Sequence, residues 1–230
     1  MNETKLSQFP TKQHQHFKLL VFDWDGTLAD STHLISHAIQ NAFSDLNLPI
    51  PTDTETRFVI GLHPKEAIQQ LAPKLSLSQV NKIIEKYAKH YLANDNKIQF
   101  YPSVLDSLHR LKELNFHLAI ATNKSRIGLS RALEFTNSKH LFEITICAEE
   151  TFFKPNPTML NFIIKTTGID ASRTLMIGDT SHDLLFASNA NVSSLALTYG
   201  AHPLEKLLLF KPIAYFDNFG NLTEWIIFNS

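Results

Sequence analysis

Asp23 and Asp25 close the apolar run Leu19-Leu20-Val21-Phe22-Asp23-Trp24-Asp25-Gly26-Thr27-Leu28. Two carboxylates one residue apart resist joint ionisation unless something positive lies between them. Magnesium meets that need, because it takes oxygen ligands and keeps positions open for a phosphate. A short, continuous run rich in Leu, Val and Phe reads as a strand buried in a parallel sheet. Strand alternation sends both aspartates to the same side. The carboxyl end of such a strand is where open α/β sheets place their ligands. Gly26 permits the sharp backbone departure that a site there requires.

Three more pieces follow later apolar runs: Thr122-Asn123, Lys154-Pro155-Asn156-Pro157 and Gly178-Asp179-Thr180-Ser181-His182-Asp183. If those runs lie parallel to the first, a hydroxyl, an ammonium and four carboxylates meet at one sheet edge. Phosphoryl transfer asks mainly for alignment and charge neutralisation. A carboxylate nucleophile divides hydrolysis into two in-line steps, and a metal ion with Lys154 offsets the charge on the equatorial oxygens. Each piece alone has a plainer reading. Asp is common in strand-end turns, Lys154 could be a solvated loop residue, and Thr122 could cap a helix, although Ser125 can do that equally well. The ordered set, each member after a strand, is what makes the pattern specific. His182 reads as a surface or loop residue, because magnesium disfavours nitrogen donors. His33 and His37 are one helical turn apart but lack a third ligand, so they read as partly buried helix residues.

These residues need a sheet to hold them. Strands are expected at 19–23, 117–121, 143–148, 174–178, 193–198 and, more weakly, 213–216, with helices at 103–115, 125–135, 157–167 and 181–191. In the first of these helices Leu108, Leu111 and Leu114 form an apolar side that includes Leu105. Alternation of strand and helix predicts an α/β fold, a Rossmann-like doubly wound parallel sheet with helices on both faces. Residues 31–97 break the rhythm, with helical patterns at 33–46, 64–71 and 77–94 and prolines Pro49, Pro51 and Pro73 between them. The expected organisation is a polar leader at 1–17, a core domain built from 18–30 and 98–230, and a small α-helical cap domain at 31–97.

Composition narrows the function classes. The chain has 230 residues, 43% of them hydrophobic, with 17 Phe and 7 Gly, which fits bulky packing around few flexible loops. A formal net charge of −1 gives no support to nucleic-acid or anionic-membrane binding. No apolar stretch approaches membrane-spanning length. The polar residues 1–17, with His14 and His16, lack the apolar centre of a signal peptide. Cys147, the one cysteine, excludes an internal disulfide and reads as a small buried hydrophobe. The chain is therefore expected to be cytoplasmic; the oligomeric state is not fixed by the sequence.

The ordered motifs resemble the haloacid dehalogenase (HAD) superfamily of hydrolases, in the phosphoglycolate phosphatase-like branch with a small helical cap after the first strand. The resemblance covers nearly the whole chain after the leader. It implies that Asp23 is the nucleophile that forms an aspartyl-phosphate, and Asp25 the acid/base. It implies further that Thr122 binds the transferring phosphoryl group and that Lys154 holds nucleophile and phosphate together. The resemblance also implies that Asp179 and Asp183 complete a magnesium site with Asp23 and a main-chain oxygen of Asp25. Asn123 belongs to the substrate-binding set, and Gly61-Leu62-His63-Pro64-Lys65-Glu66 resembles the specificity loop of the branch, with His63 or Lys65 meeting the anionic tail of the substrate. Carbon–halogen cleaving members lack an acid at the place of Asp25, whereas an alkoxide leaving group needs a proton. The expected activity is magnesium-dependent hydrolysis of a small phosphorylated metabolite, with phosphoglycolate the first candidate. A β-phosphoglucomutase-like activity would need a cap arginine near Gly61, and none lies between Gly61 and Leu71; the residue ten after Asp25 is Ile35. A phosphonoacetaldehyde hydrolase-like activity would use a cap lysine, and Lys65 falls one place late for that motif. A non-catalytic regulatory protein would normally have lost one of the charged groups, and all are retained.

Overall fold

Alternation along β1 (Leu19–Phe22) divides its side chains between two apolar layers. Leu20 and Phe22 join one cluster, Leu19 and Val21 the other. The computed structural model describes residues 17–230. His14 and His16 lie outside the described residues. Phe17, placed with the leader by its sequence, is 1% exposed and packs in the same cluster as Phe22, so it belongs to the packed core.

A helical segment follows β1: α1 (Thr32–Ser44), α2 (Asp53–Phe58), α3 (Pro64–Leu71) and α4 (Leu77–Leu92). Then come α5 (Val104–Glu113), β2 (His117–Thr122), α6 (Arg126–Phe135), β3 (Ile144–Cys147), α7 (Thr158–Thr167), β4 (Thr174–Gly178), α8 (Ser181–Asn189), β5 (Ser193–Leu197), α9 (Leu204–Leu208), β6 (Ala214–Phe216) and α10 (Phe219–Phe228). The six strands form one parallel sheet in the order β3-β2-β1-β4-β5-β6. This is the doubly wound α/β arrangement, with strand order reversing at β1. Leu108 and Leu111 of α5, Leu129 of α6 and Leu222 and Ile226 of α10 cover one face. Met159 and Ile163 of α7 and Phe186 of α8 cover the other.

Two expectations change at the level of single helices. The buried side of α5 is Val104, Leu108 and Leu111, while Leu105 and Leu114 are exposed. Leu105 lies about 100° round the helix from Val104, and the sheet takes Val104. α2 was not legible, because Thr56 is its one buried residue and no apolar period marks it. What starts α2 is a capping box, in which Thr52 accepts from the Glu55 N–H and Glu55 accepts from the Thr52 N–H.

The α1–α4 segment has its own apolar cluster, in which Ile39 and Phe43 of α1 meet Ile68 of α3 and Val80 and Ile83 of α4. It joins the sheet domain through two strands of chain that run side by side. Asp30 N–H donates to Gln99 O at 2.9 Å, and Tyr101 N–H donates to Leu28 O at 3.0 Å. Arg131 of α6 adds a two-pronged pair to Asp95 at 2.7 and 2.8 Å. Among the described residues, no helix is long and apolar enough to cross a membrane.

Candidate active site

The ladder does not stop at the last residue of β1, because Asp23 N–H still donates to Ile177 O of β4 at 3.0 Å. The chain then turns. Trp24 O accepts from the N–H groups of Leu28 and Ala29, both at 3.0 Å. Gly26 sits at φ +86°, a conformation that side chains with a Cβ rarely adopt, and a Cβ there would come within 2.3 Å of Asp179 Oδ2. The turn after β1 therefore packs directly on the carboxylate that follows β4. Thr27, in the same turn, donates its hydroxyl to Asp179 Oδ1 at 2.6 Å, and Ala201 N–H donates to Oδ2 at 2.8 Å.

Lys154 reaches this edge from the loop before α7. Its ammonium donates to Asp23 Oδ1 and to Asp183 Oδ1, each at 2.7 Å, with the side chain almost fully buried. Asp183 is aimed by the start of α8. Thr180 is the N-cap, and the other Asp183 oxygen accepts from the Thr180 N–H and hydroxyl at 3.0 and 2.6 Å. One carboxylate oxygen from each of Asp23, Asp179 and Asp183 lies within 4.8 Å of the others, and all three residues are buried. Burial pushes the Asp23 carboxyl up to about 6 despite the pull of Lys154. Burial, then the charges of Asp183 and Asp23, push Asp179 well up. Burial also opposes ionisation of Asp183, but Lys154 and Thr180 outweigh it and hold this carboxyl below its ordinary value.

Two of the three buried carboxylates thus share one ammonium, and the third, Asp179, has only the neutral donors Thr27 and Ala201. Unpaired buried charge is costly. An all-oxygen donor set with surplus negative charge fits a hard divalent cation such as magnesium.

Asp25 faces a different neighbourhood. Its carboxylate accepts from the Ser31 hydroxyl at 2.7 Å and from the Lys124 ammonium at 3.0 Å on each oxygen. Lys124 also donates to the Tyr91 hydroxyl of α4 at 2.6 Å. Thr122, the last residue of β2, is buried, and its hydroxyl accepts from the Lys124 N–H at 3.3 Å. Ser125 is the N-cap of α6, so Thr122 is free of that duty. Asn123 donates to Gly61 O at 2.7 Å and accepts from Lys154 N–H at 2.9 Å. A cavity of about 360 Å³ opens over Asp23, Asp25, Thr122 and Asn123, beneath α1, α3 and α4.

Residues 20–197 match the family described as haloacid dehalogenase-like hydrolase. The chain belongs to that family. The phosphoglycolate phosphatase of Aliivibrio fischeri is 31% identical over 215 residues, which cover 89% of this chain and 94% of that one. The corresponding Vibrio cholerae protein is 30% identical over 220 residues, 91% and 97% of the two chains. Among solved structures, a haloacid dehalogenase-like hydrolase from Bacteroides fragilis shares the fold with a TM-score of 0.84 at 24% identity, over 90% of this chain and 99% of that one. Within the family, the likeness is to the phosphoglycolate phosphatase-like phosphoric monoester hydrolases.

Against that family pattern, Asp23, Thr122, Lys154, Asp179 and Asp183 come together at one sheet edge, and Asp25 lies beside them with its carboxylate turned to Lys124. The alternation expected for Asp23 and Asp25 ends at Asp23, where the turn begins, and the two carboxylates pair with different lysines, Lys154 and Lys124. The Asp25 carboxylate is not part of the three-carboxylate cluster. His63 and Lys65 do not line the cavity, although Gly61, Leu62 and Pro64 do. His63 is the N-cap of α3 and stacks on Phe153 with ring centroids 3.9 Å apart, while Lys65 is exposed. His33 and His37 are exposed, not partly buried, and border a separate hollow with His90. Trp24 is buried against Phe100, away from the carboxylates. Lys124 and Thr27 went unread in the sequence. Lys124 directly follows Thr122-Asn123, and that adjacency was the available signal.

Proposed function

We propose that the protein is a magnesium-dependent phosphatase that hydrolyses a small phosphomonoester through an aspartyl-phosphate on Asp23. The observation that carries this reading is the Lys154 ammonium between Asp23 and Asp183, with Asp179 completing a buried carboxylate cluster. In this reading an Asp23 oxygen attacks phosphorus in line with the ester oxygen, and the P–O bond to the organic group breaks. Asp25 gives a proton to the departing oxygen. In the second step Asp25 takes a proton from water as that water attacks the phosphoryl group, which leaves as inorganic phosphate. Thr122 and Lys154 orient the phosphoryl oxygens. Asp23, Asp179 and Asp183, with a main-chain oxygen of Asp25, would hold magnesium, which supplies charge neutralisation for the phosphoryl group.

Lys124 and Ser31 hold the Asp25 carboxylate at the cavity, beside Asp23 and Thr122. Asn123 links Gly61 with the backbone of Lys154 and would report closure of the α1–α4 segment to the phosphate site. Phosphoglycolate, named for several relatives, is the first metabolite to try. The single, buried Cys147 fits a reducing cytoplasmic setting. The direct test is turnover of p-nitrophenyl phosphate by the purified chain with magnesium and with a chelator. Turnover that needs the metal supports the reading, and the absence of turnover under both conditions contradicts it.

A further inference from the structure

The cavity above Asp25 carries information about the organic half of the substrate. It is continuous with Asp23 and Thr122, so a phosphoryl group bound there must extend its ester substituent into this space. Ile39 of α1, Ile68 of α3 and Ile84 of α4 form its upper walls. Lys124 is the one cationic residue in the lining, and its ammonium already serves both oxygens of Asp25 and the hydroxyl of Tyr91. A second anionic group on the substrate would lose water there without gaining a free cation.

The rim is apolar as well. Leu92 and Ile127 border the cavity while 41% and 70% exposed. Exposed apolar side chains that continue a cavity wall mark a surface on which apolar matter binds. The volume of about 360 Å³ falls at the small end of ligand pockets, enough for a short chain or a single ring.

We infer that the cavity takes an uncharged, apolar organic group, so that the preferred substrate is an alkyl or aryl phosphomonoester and not one with a second carboxylate or phosphate. The inference rests on the phosphatase reading above and deepens it. The phosphoryl group lies at Asp23 and Lys154, the ester oxygen near Asp25, and the organic group between α1, α3 and α4.

The experiment is a kcat/KM series with saturating magnesium on methyl to hexyl phosphates, phosphoglycolate and isobutyl phosphate, the last being an analogue of phosphoglycolate of similar shape with no charge on its organic group. Each added methylene should raise kcat/KM about threefold to fourfold until the cavity is full. Isobutyl phosphate should exceed phosphoglycolate by about tenfold or more. Ile84→Lys, at a half-buried position, should cut that ratio by about tenfold. In parallel, non-hydrolysable n-alkylphosphonates should raise the melting temperature of the wild-type protein in order of chain length, a readout that needs neither turnover nor the variant. A flat alkyl series, or preference for phosphoglycolate, overturns the inference and leaves the phosphatase reading standing. Loss of turnover on every ester overturns that reading, and the phosphonate series then decides the cavity alone: no dependence on chain length overturns the inference.

Discussion

The Lys124 ammonium lies 3.0 Å from each carboxylate oxygen of Asp25. This pair separates the two aspartates of the first motif, since Asp23 is held by Lys154 on the other side of the turn. The separation fits two different tasks for two chemically identical groups. It also assigns Lys124 a positioning role, because it holds Asp25 and reaches Tyr91 of α4 with the same ammonium.

Lys124→Met should lower kcat on alkyl phosphates by about tenfold to a hundredfold, less than the roughly hundredfold to ten-thousandfold that a proton-transfer group contributes in full. KM should change less. Steady-state kinetics on one alkyl ester checks this, and an unchanged kcat would remove Lys124 from the positioning of Asp25.

Removing the charge of Lys154 leaves Asp23 and Asp183 buried beside each other without a cation. Lys154→Met should therefore lose roughly 3–5 kcal/mol of stability without metal, the usual cost of breaking a buried pair from one side. Magnesium should restore part of that loss. Asp179→Ala should behave in the opposite way: it removes buried repulsion, so the metal-free protein should hold its stability while the response to magnesium disappears. Thermal melts of both variants with and without magnesium separate the two cases. If Asp179→Ala keeps the wild-type response, Asp179 is not a ligand.

Much of this site was legible because its parts are local. A strand leading into Asp23, the Thr122 hydroxyl at the end of another and Asp179 with Asp183 after a third each show within a few residues. The contacts of Lys124 were not, because they depend on where α4 places Tyr91, more than thirty residues away in sequence. Asn123 was legible as a site residue, yet its two bonds, to Gly61 and to Lys154, join three separate segments. The turn at Gly61 was legible, but the sequence could not show that His63 caps α3 and turns to Phe153.

His63 and Lys65 accordingly should matter little to turnover. The His63→Ala and Lys65→Ala variants should each keep kcat/KM within about threefold of wild type, the size of an ordinary surface substitution. Asn123→Ala should lose about tenfold or more, because it frees both the Gly61 carbonyl and the Lys154 N–H. Kinetics on one substrate decides the order. Larger losses at His63 or Lys65 than at Asn123 would return the specificity role to the loop.

Cys147 is fully buried at the end of β3, and burial pushes its thiol up to about 12 from an ordinary 9. The native state therefore favours the thiol. Below pH 9 the raised pKa contributes its full stabilisation, and that contribution is lost as pH rises from about 9 toward 12, because only the unfolded chain ionises readily in that window. Alkylation by iodoacetamide at mildly basic pH should be slow in the folded protein and fast in urea. Equal rates in the two states would contradict the buried-thiol assignment.

The central claim is that phosphate passes through Asp23. Asp23→Asn should fold normally and lose several powers of ten in rate, since an amide cannot form the acyl-phosphate. The most direct measurement is peptide mass analysis of wild-type protein quenched in acid during turnover with magnesium. The account predicts one added phosphoryl group on the peptide that carries Asp23, absent from Asp23→Asn and from metal-free protein. Turnover without a phosphoryl group on that peptide, or with one on another residue, would contradict it.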